Sequence, residues 1–289
     1  GRRGGGGRPA AWGGGLIVAR AGGAVLLMTA GHEPLRVYQR MFEKSLGDPT
    51  AWSLTLNRAV PLGLAGLAVA VAGTKQEASP GILASHLREM GGAEAASVIG
   101  FGFMTSPVNA AYINGVSMHV LDFEPMWNPA NHQISTTLPA ALALAEARGA
   151  DGQAVLIALI KGIEMQGWIR QASRQFEARD ARFHPPSQVG PMGAVVAAAH
   201  MLDLDVIELR NALGIAASRA GGLLANAGTM TKSTNCGVAL AAGLDAAMLA
   251  ARGFTANPDI FEAPQGYVAG LFDDKFVLED LLHNGAPFR

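Results

Sequence analysis

The chain has 289 residues, 49% of them hydrophobic and 16% charged, with a formal net charge of −1. That is enough apolar material for one large core or two smaller ones, while the near-neutral charge, with no long run of Lys or Arg in the body, excludes the electrostatic footprint of a nucleic-acid binder. Its one cysteine, Cys236, excludes an intramolecular disulfide framework or a multi-cysteine metal site and fits a reducing, cytoplasmic compartment.

Residues 1–27 open GRRGGGGRPAAWGGG, with no acidic residue and with glycine runs that cannot hold a packed element. A basic start before a short apolar run has the order of a signal peptide, but Arg20 interrupts it. The segment reads as a disordered or non-native extension, with a natural start at Met28. Leu35, Val37, Tyr38, Met41, Phe42 and Leu46 then recur at three- and four-residue intervals, which predicts an amphipathic helix over Glu33–Leu46. A second helix is expected over Leu54–Ala72, divided at Pro61. Its apolar stretch, Val60 to Ala72, falls short of the roughly 20 residues of a membrane span, so a buried helix is expected and no membrane segment.

A third helix is predicted over Gly81–Met90, followed by a Gly- and Ala-rich passage to Gly102. Ser106 is a natural N-cap, and Pro107 suits the first position of the helix it opens. Thr136–Arg148 predicts an alanine-leucine helix stopped by Gly149, and Asp151 caps another over Gln153–Arg174, with Glu164, Gln166 and Arg170 as polar interruptions. The run FHPPSQVG, 183–190, is expected to break the chain because of its paired prolines. Further helices are expected over Gly193–Leu202, Asp205–Arg219 and Val238–Arg252, the last stopped by Gly253. AGGLLANAGTMTKSTNCG reads as a glycine-punctuated loop. No alternation of strand length is found, so the body is predicted to be all-α.

The chemistry gathers in NGVSMHVLDFEPMWNPANHQISTTLP, 114–139, where His119, Asp122, Glu124, Trp127, Asn128, Asn131 and His132 interrupt long stretches of small apolar residues. Two other loop-like stretches bring His184 and Lys232, and loops on a rigid scaffold are where binding and catalytic groups concentrate. Each has an ordinary alternative. Asp122, between Leu121 and Phe123, is either paired in a core or tuned for proton transfer. His132 also reads as a capping or surface residue, His184 as a packed turn residue, and Lys232 as a solvated lysine. His119, three residues before Asp122, can support that carboxylate from one helical turn away. Cys236 has no neighbour in sequence that would activate it as a nucleophile. The histidines lack paired metal-ligand spacing on one helix, and no dinucleotide or phosphate-loop pattern appears in a strand-to-helix context.

The runs NGVSMHVLDFEPMWNPANH, KGIEMQGWI, RFHPPSQVGPMGAVVAAA and ANAGTMTKSTNCGVALAAGLDAAMLAARGF, continuous from about Ser106 to Phe254, resemble the MmgE/PrpD family. The resemblance implies a large helical domain carrying most of the site, spanning 28–275, with 276–289 the start of a connection to an α+β lid domain that this chain lacks. It also implies a homodimer acting without metal or cofactor as a lyase, removing water or carbon dioxide from a small di- or tricarboxylic acid. By the family's pattern Asp122, His132, His184 and Lys232 are the catalytic set. Thr231, Met126 and Asn131 are implied as substrate contacts and His119 as a support.

The chain departs from the family where D-F-D-D becomes Asp122-Phe123-Glu124-Pro125, where Met126 replaces a threonine of decarboxylase-like members, and where Asn235 replaces a histidine. These changes bear on the choice of substrate more than on the class of reaction. The rival expectation is a catalytically silent helical dimerisation or carboxylate-binding module.

Overall fold

The computed structural model describes residues 49–177, 181–272 and 274–282, most of them within one compact unit, Thr55–His283. The extension 1–27 and the predicted helix Glu33–Leu46 lie outside the described residues. Ten α-helices and one short hairpin are described: α1 Pro49–Gln76, α2 Ala78–Met90, β1 Ala96–Val98, β2 Phe103–Thr105, α3 Pro107–His119, α4 Leu138–Arg148, α5 Gly152–Ser173, α6 Pro185–Leu202, α7 Val206–Ala217, α8 Met230–Ala250, and the short α9 Tyr267–Leu271 and α10 Glu279–Leu282. The mostly helical expectation holds.

Helix α1 runs unbroken through Pro61 instead of dividing there. Its buried positions, Ala59, Gly63, Gly66, Ala70 and Gly73, continue at three- and four-residue spacing across the proline, so packing of one small-residue stripe holds both halves in one axis. A Cβ on Gly66 would come within 2.7 Å of Ile134 Cγ2, and one on Gly73 would press into the carbonyl oxygen of Ser117. The opposite face exposes Val60, Leu64 and Val71. The expectation of a short, buried apolar segment is therefore corrected. Asn57–Gln76, 20 residues, has the length and composition that would cross a membrane, the one such helix among the described residues, and 28% of its apolar window is buried.

The hairpin arises where no strand was expected, in the Gly- and Ala-rich passage and the few residues between it and Ser106. Ala96, Ser97 and Val98 pair antiparallel with Thr105, Met104 and Phe103, around a turn in which Gly100 and Gly102 take φ of 79° and 69°. Strands of three residues are too short to show an alternation. Tertiary bonds supply the missing stability: Ile99 N–H donates to Asn114 Oδ1 at 2.8 Å, and Asn114 Nδ2 donates back to the Ser97 carbonyl at 3.0 Å.

The caps follow the sequence closely. Ser106 accepts from Asn109 N–H with Pro107 at the first helical position, Asp151 accepts from Ala154 N–H, and Gly149 ends α4 in the left-handed conformation. Asp205 and Glu208 form a complete capping box at α7. Asp205→Ala is expected to cost about 1 kcal/mol in urea unfolding by removing the acceptor for two otherwise unpaired N–H groups.

Two boundaries are corrected, and both matter for the site. Pro185 and Pro186 do not break the chain; they open α6, where a missing N–H costs nothing because the first turn has no intrahelical acceptor for it. The TMTKSTNCG run is not a loop either. Met230 starts α8, so Lys232, Asn235 and Cys236 are helical. α6 and α8 form the buried centre, packed on each other, with α5 against α6 and α3 and α7 against α8. Glycines permit the close approach: a Cβ on Gly237 would lie 2.5 Å from Tyr112, and one on Gly243 2.7 Å from Ala194.

Candidate active site

Three chain segments meet at one end of the α6–α8 pair. α3 ends at His119, the loop 120–137 carries Asp122, Glu124 and His132, and α6 and α8 bring His184 and Lys232 at their N-termini. The four residues expected from the FHPPS, TK and central stretches are thus brought together with His119. The positive ends of two long helix dipoles also converge here, which favours anions.

The loop is held by a buried amide. Gln166 of α5 accepts from Asn131 Nδ2 at 3.0 Å and Thr136 Oγ1 at 2.8 Å, and donates to Thr137 Oγ1 at 2.7 Å and the Gln133 carbonyl at 3.3 Å. Trp127 N–H donates to the Asn131 carbonyl at 3.1 Å and to Gln133 Oε1 at 2.9 Å. These directional contacts tie the loop to α5 and to itself. Asp122 takes the left-handed conformation, φ 53°, which Asp tolerates better than most residues.

Glu124 is the centre of the cluster, with a fully buried side chain. Its Oε2 accepts from Ser135 N–H at 2.6 Å, and its Oε1 lies 3.3 Å from Nδ1 of both His119 and His132. The contact to His119 has hydrogen-bond geometry; His132 Nδ1 lies off the bonding direction. Burial alone would raise the Glu124 carboxyl, but the two imidazoles outweigh it and hold it below the usual range, ionised. His119, 1% exposed, is lowered by that same burial, with Glu124 pulling the other way. It is a neutral ring, with its proton on Nδ1 facing Glu124.

The two rings present Nε2 outward, His119 at 3.6 Å and His132 at 3.5 Å from Asp122 Oδ1. Lys232 Nζ donates to both oxygens of Asp122. Burial would raise the half-exposed Asp122 carboxyl, but the bond from Lys232 and the neighbouring rings bring it below its usual value. His184 completes the group, its ring centroid 5.4 Å from His119 and 6.5 Å from His132. Its backbone is pinned, N–H donating to the Gly222 carbonyl at 2.8 Å and C=O accepting from Ser187 Oγ at 2.6 Å. Burial first, then the neighbouring His119, Lys232 and His132, push its pKa down to about 3.

The expected substrate contacts stand differently. Met126 is exposed, 57%, and Thr231 lies exposed on the first turn of α8. Asn131 is buried, its amide given to Gln166 and its Oδ1 without a partner. Glu124 was legible as one of the polar residues of 114–139 and as a departure from a motif, and Gln166 only as a polar interruption. Nothing in their spacing announced that one would anchor two histidines and the other the loop. Cys236, one helical turn beyond Lys232, lies buried beneath the cluster, and burial pushes its thiol up.

A helical scaffold here brings two helix N-termini, buried imidazoles, carboxylates and a lysine to one spot, a set of groups that can hold an anion and move a proton. Residues 50–279 match the model of the MmgE/PrpD N-terminal domain, and the chain belongs to the MmgE/PrpD family. It is 39% identical over 183 residues to cis-aconitate decarboxylase of Mus musculus, covering 62% of this chain and 37% of that protein. It is 40% identical over 167 residues to cis-aconitate decarboxylase of Homo sapiens, covering 56% and 35%. Over 185 residues it is 29% identical to cis-aconitate decarboxylase of Aspergillus terreus, covering 62% and 38%. The matched stretches thus span little more than a third of these relatives.

Proposed function

We propose that this chain carries the acid/base groups of a lyase that removes carbon dioxide from a small unsaturated tricarboxylate of the cis-aconitate type. The observation that carries the reading is the cluster itself: His119 and His132 flanking the buried Glu124, beside an Asp122–Lys232 pair, where α6 and α8 begin. The names of the mammalian relatives supply the substrate class.

The chemistry asks for two things. Breaking the bond to the departing carboxylate sends its electron pair toward the neighbouring double bond, and the far alkene carbon must take a proton. The remaining carboxylates must be held by cations and donors while charge redistributes. We assign proton delivery to His132, because it is the more accessible of the two rings on Glu124, 9% exposed against 1% for His119. Lys232 holds a substrate carboxylate by exchanging it for Asp122, and the neutral His184 offers a hydrogen-bonding wall. Fixed charge and one mobile proton suffice for this sequence of events.

The test is carbon dioxide release from a panel of di- and tricarboxylates, compared between the wild type and His132→Ala. Turnover is expected to be greatest with cis-aconitate and to fall roughly 10²- to 10⁴-fold in the variant. Unchanged turnover in His132→Ala would remove the assignment, and loss of water in place of carbon dioxide would move the chain to the dehydratases.

A further inference from the structure

We propose that His119, His184 and Cys236 form a site for a soft divalent metal ion, zinc above all, beneath the carboxylate pocket. One ring nitrogen from each histidine and the Cys236 Sγ lie within 4.8 Å of one another, and all three residues are buried. Tetrahedral zinc with ordinary Zn–N and Zn–S lengths sets its ligand atoms roughly 3.4–3.6 Å apart, so side-chain rotations of an ångström or so complete the geometry.

Two atoms in this trio are otherwise unexplained. His119 Nε2 and His184 Nδ1 are buried nitrogens without a hydrogen-bond partner, in side chains only 1% and 4% exposed. Unpaired buried polar atoms cost free energy and call for a reason. For His119 the tautomer follows from its neighbour. The ionised Glu124 accepts from Nδ1 at 3.3 Å, which leaves the lone pair on Nε2. Asp122 Oδ1 lies 3.6 Å from that nitrogen and makes no hydrogen bond to it, so the nitrogen is left for another partner. A carboxylate fixing one ring nitrogen so that the other binds metal is the usual support of a metal-bound histidine.

Cys236 adds what the imidazoles lack. It stands one turn inward from Lys232 on α8, and although burial keeps its thiol protonated, a bound metal displaces that proton to solvent and takes the thiolate. No electron is transferred. Two nitrogens and one sulfur suit zinc, with a fourth position left for water. The trio His119, Glu124 and His132 also gathers three donors, but there both Nδ1 atoms already face Glu124 Oε1 at 3.3 Å. The sequence could not show the site, because its three ligands come from α3, the start of α6 and α8.

The test is titration of the chelator-treated full chain with Co²⁺, followed by zinc displacement. One equivalent of cobalt is expected to give the near-ultraviolet band of thiolate-to-cobalt charge transfer, and zinc to abolish it. Cys236→Ala is expected to lose the band and to bind zinc roughly 10- to 100-fold more weakly or worse. No cobalt binding, cobalt bound without the band, or undiminished zinc affinity in Cys236→Ala overturns the site. The wild-type spectrum decides the matter even where the variant fails to fold, and it does not depend on which acid the pocket turns over.

Discussion

Alanine at Lys232 is expected to lower turnover of cis-aconitate by roughly 10²- to 10³-fold, the range for removing a fixed donor from a site of developing charge. Alanine at Asp122 in the same chain is expected to add little. The reason lies in the pairing. Lys232 donates to both oxygens of Asp122, which is its carboxylate partner among the described residues. Removing the lysine leaves Asp122 facing His119 and His132 alone, with an anion standing where the substrate's own carboxylate has to come. Removing Asp122 as well takes away that repulsion. Residues that act as a unit are strongly non-additive, so the double variant should lose much less than the product of the two single losses. Measurement of kcat and KM for all four chains closes the cycle. Strict additivity would mean that the two residues serve separate tasks and that the exchange of Asp122 for substrate does not occur.

How much of this was readable beforehand depends on whether a residue's role was local. Ser106, Asp151 and Asp205 cap helices within their own few residues, and an N-cap is a matter of one side chain and the next turn. Those were legible. So were Asp122, His132, His184 and Lys232 as a set, because their motifs resemble a known family. The HPP and TK runs were misread for one reason: prolines and glycines punctuate most sequences, yet Pro185 and Pro186 sit where a helix begins, and the helix that starts at Met230 takes its burial from residues further along, Ser233, Cys236 and Gly237 onward. The role of Glu124 is wholly tertiary. Its partners are His119, His132 and Ser135 N–H, and a carboxylate followed by proline gives no local sign of being buried between two rings.

The same division between local and tertiary information sets the second large effect. Gly162→Ala and Gly152→Ala are one chemical change made twice on α5, and they are expected to act in opposite directions. At Gly152, in the first turn, an added Cβ meets nothing within 4 Å. There alanine should stabilise by up to about 1 kcal/mol through helix propensity and a less flexible unfolded chain. At Gly162 the same Cβ would press into Thr137 Cγ2 and come within 2.7 Å of the Gly193 carbonyl oxygen. A methyl against a flexible side chain can be accommodated, but a backbone oxygen in the buried α6 cannot move without carrying that helix along. The propensity gain is therefore outweighed by overpacking, and a net loss of about 2–3 kcal/mol is expected in urea unfolding at unchanged m. The loss should reach the site as well, since Gly193 faces Gln166, whose Cγ would lie 2.7 Å from a Cβ there, and Gln166 fixes the loop that carries His132. Equal midpoints for the two variants would show that α5 and α6 are looser than this spacing requires, and that the loop takes its order from elsewhere.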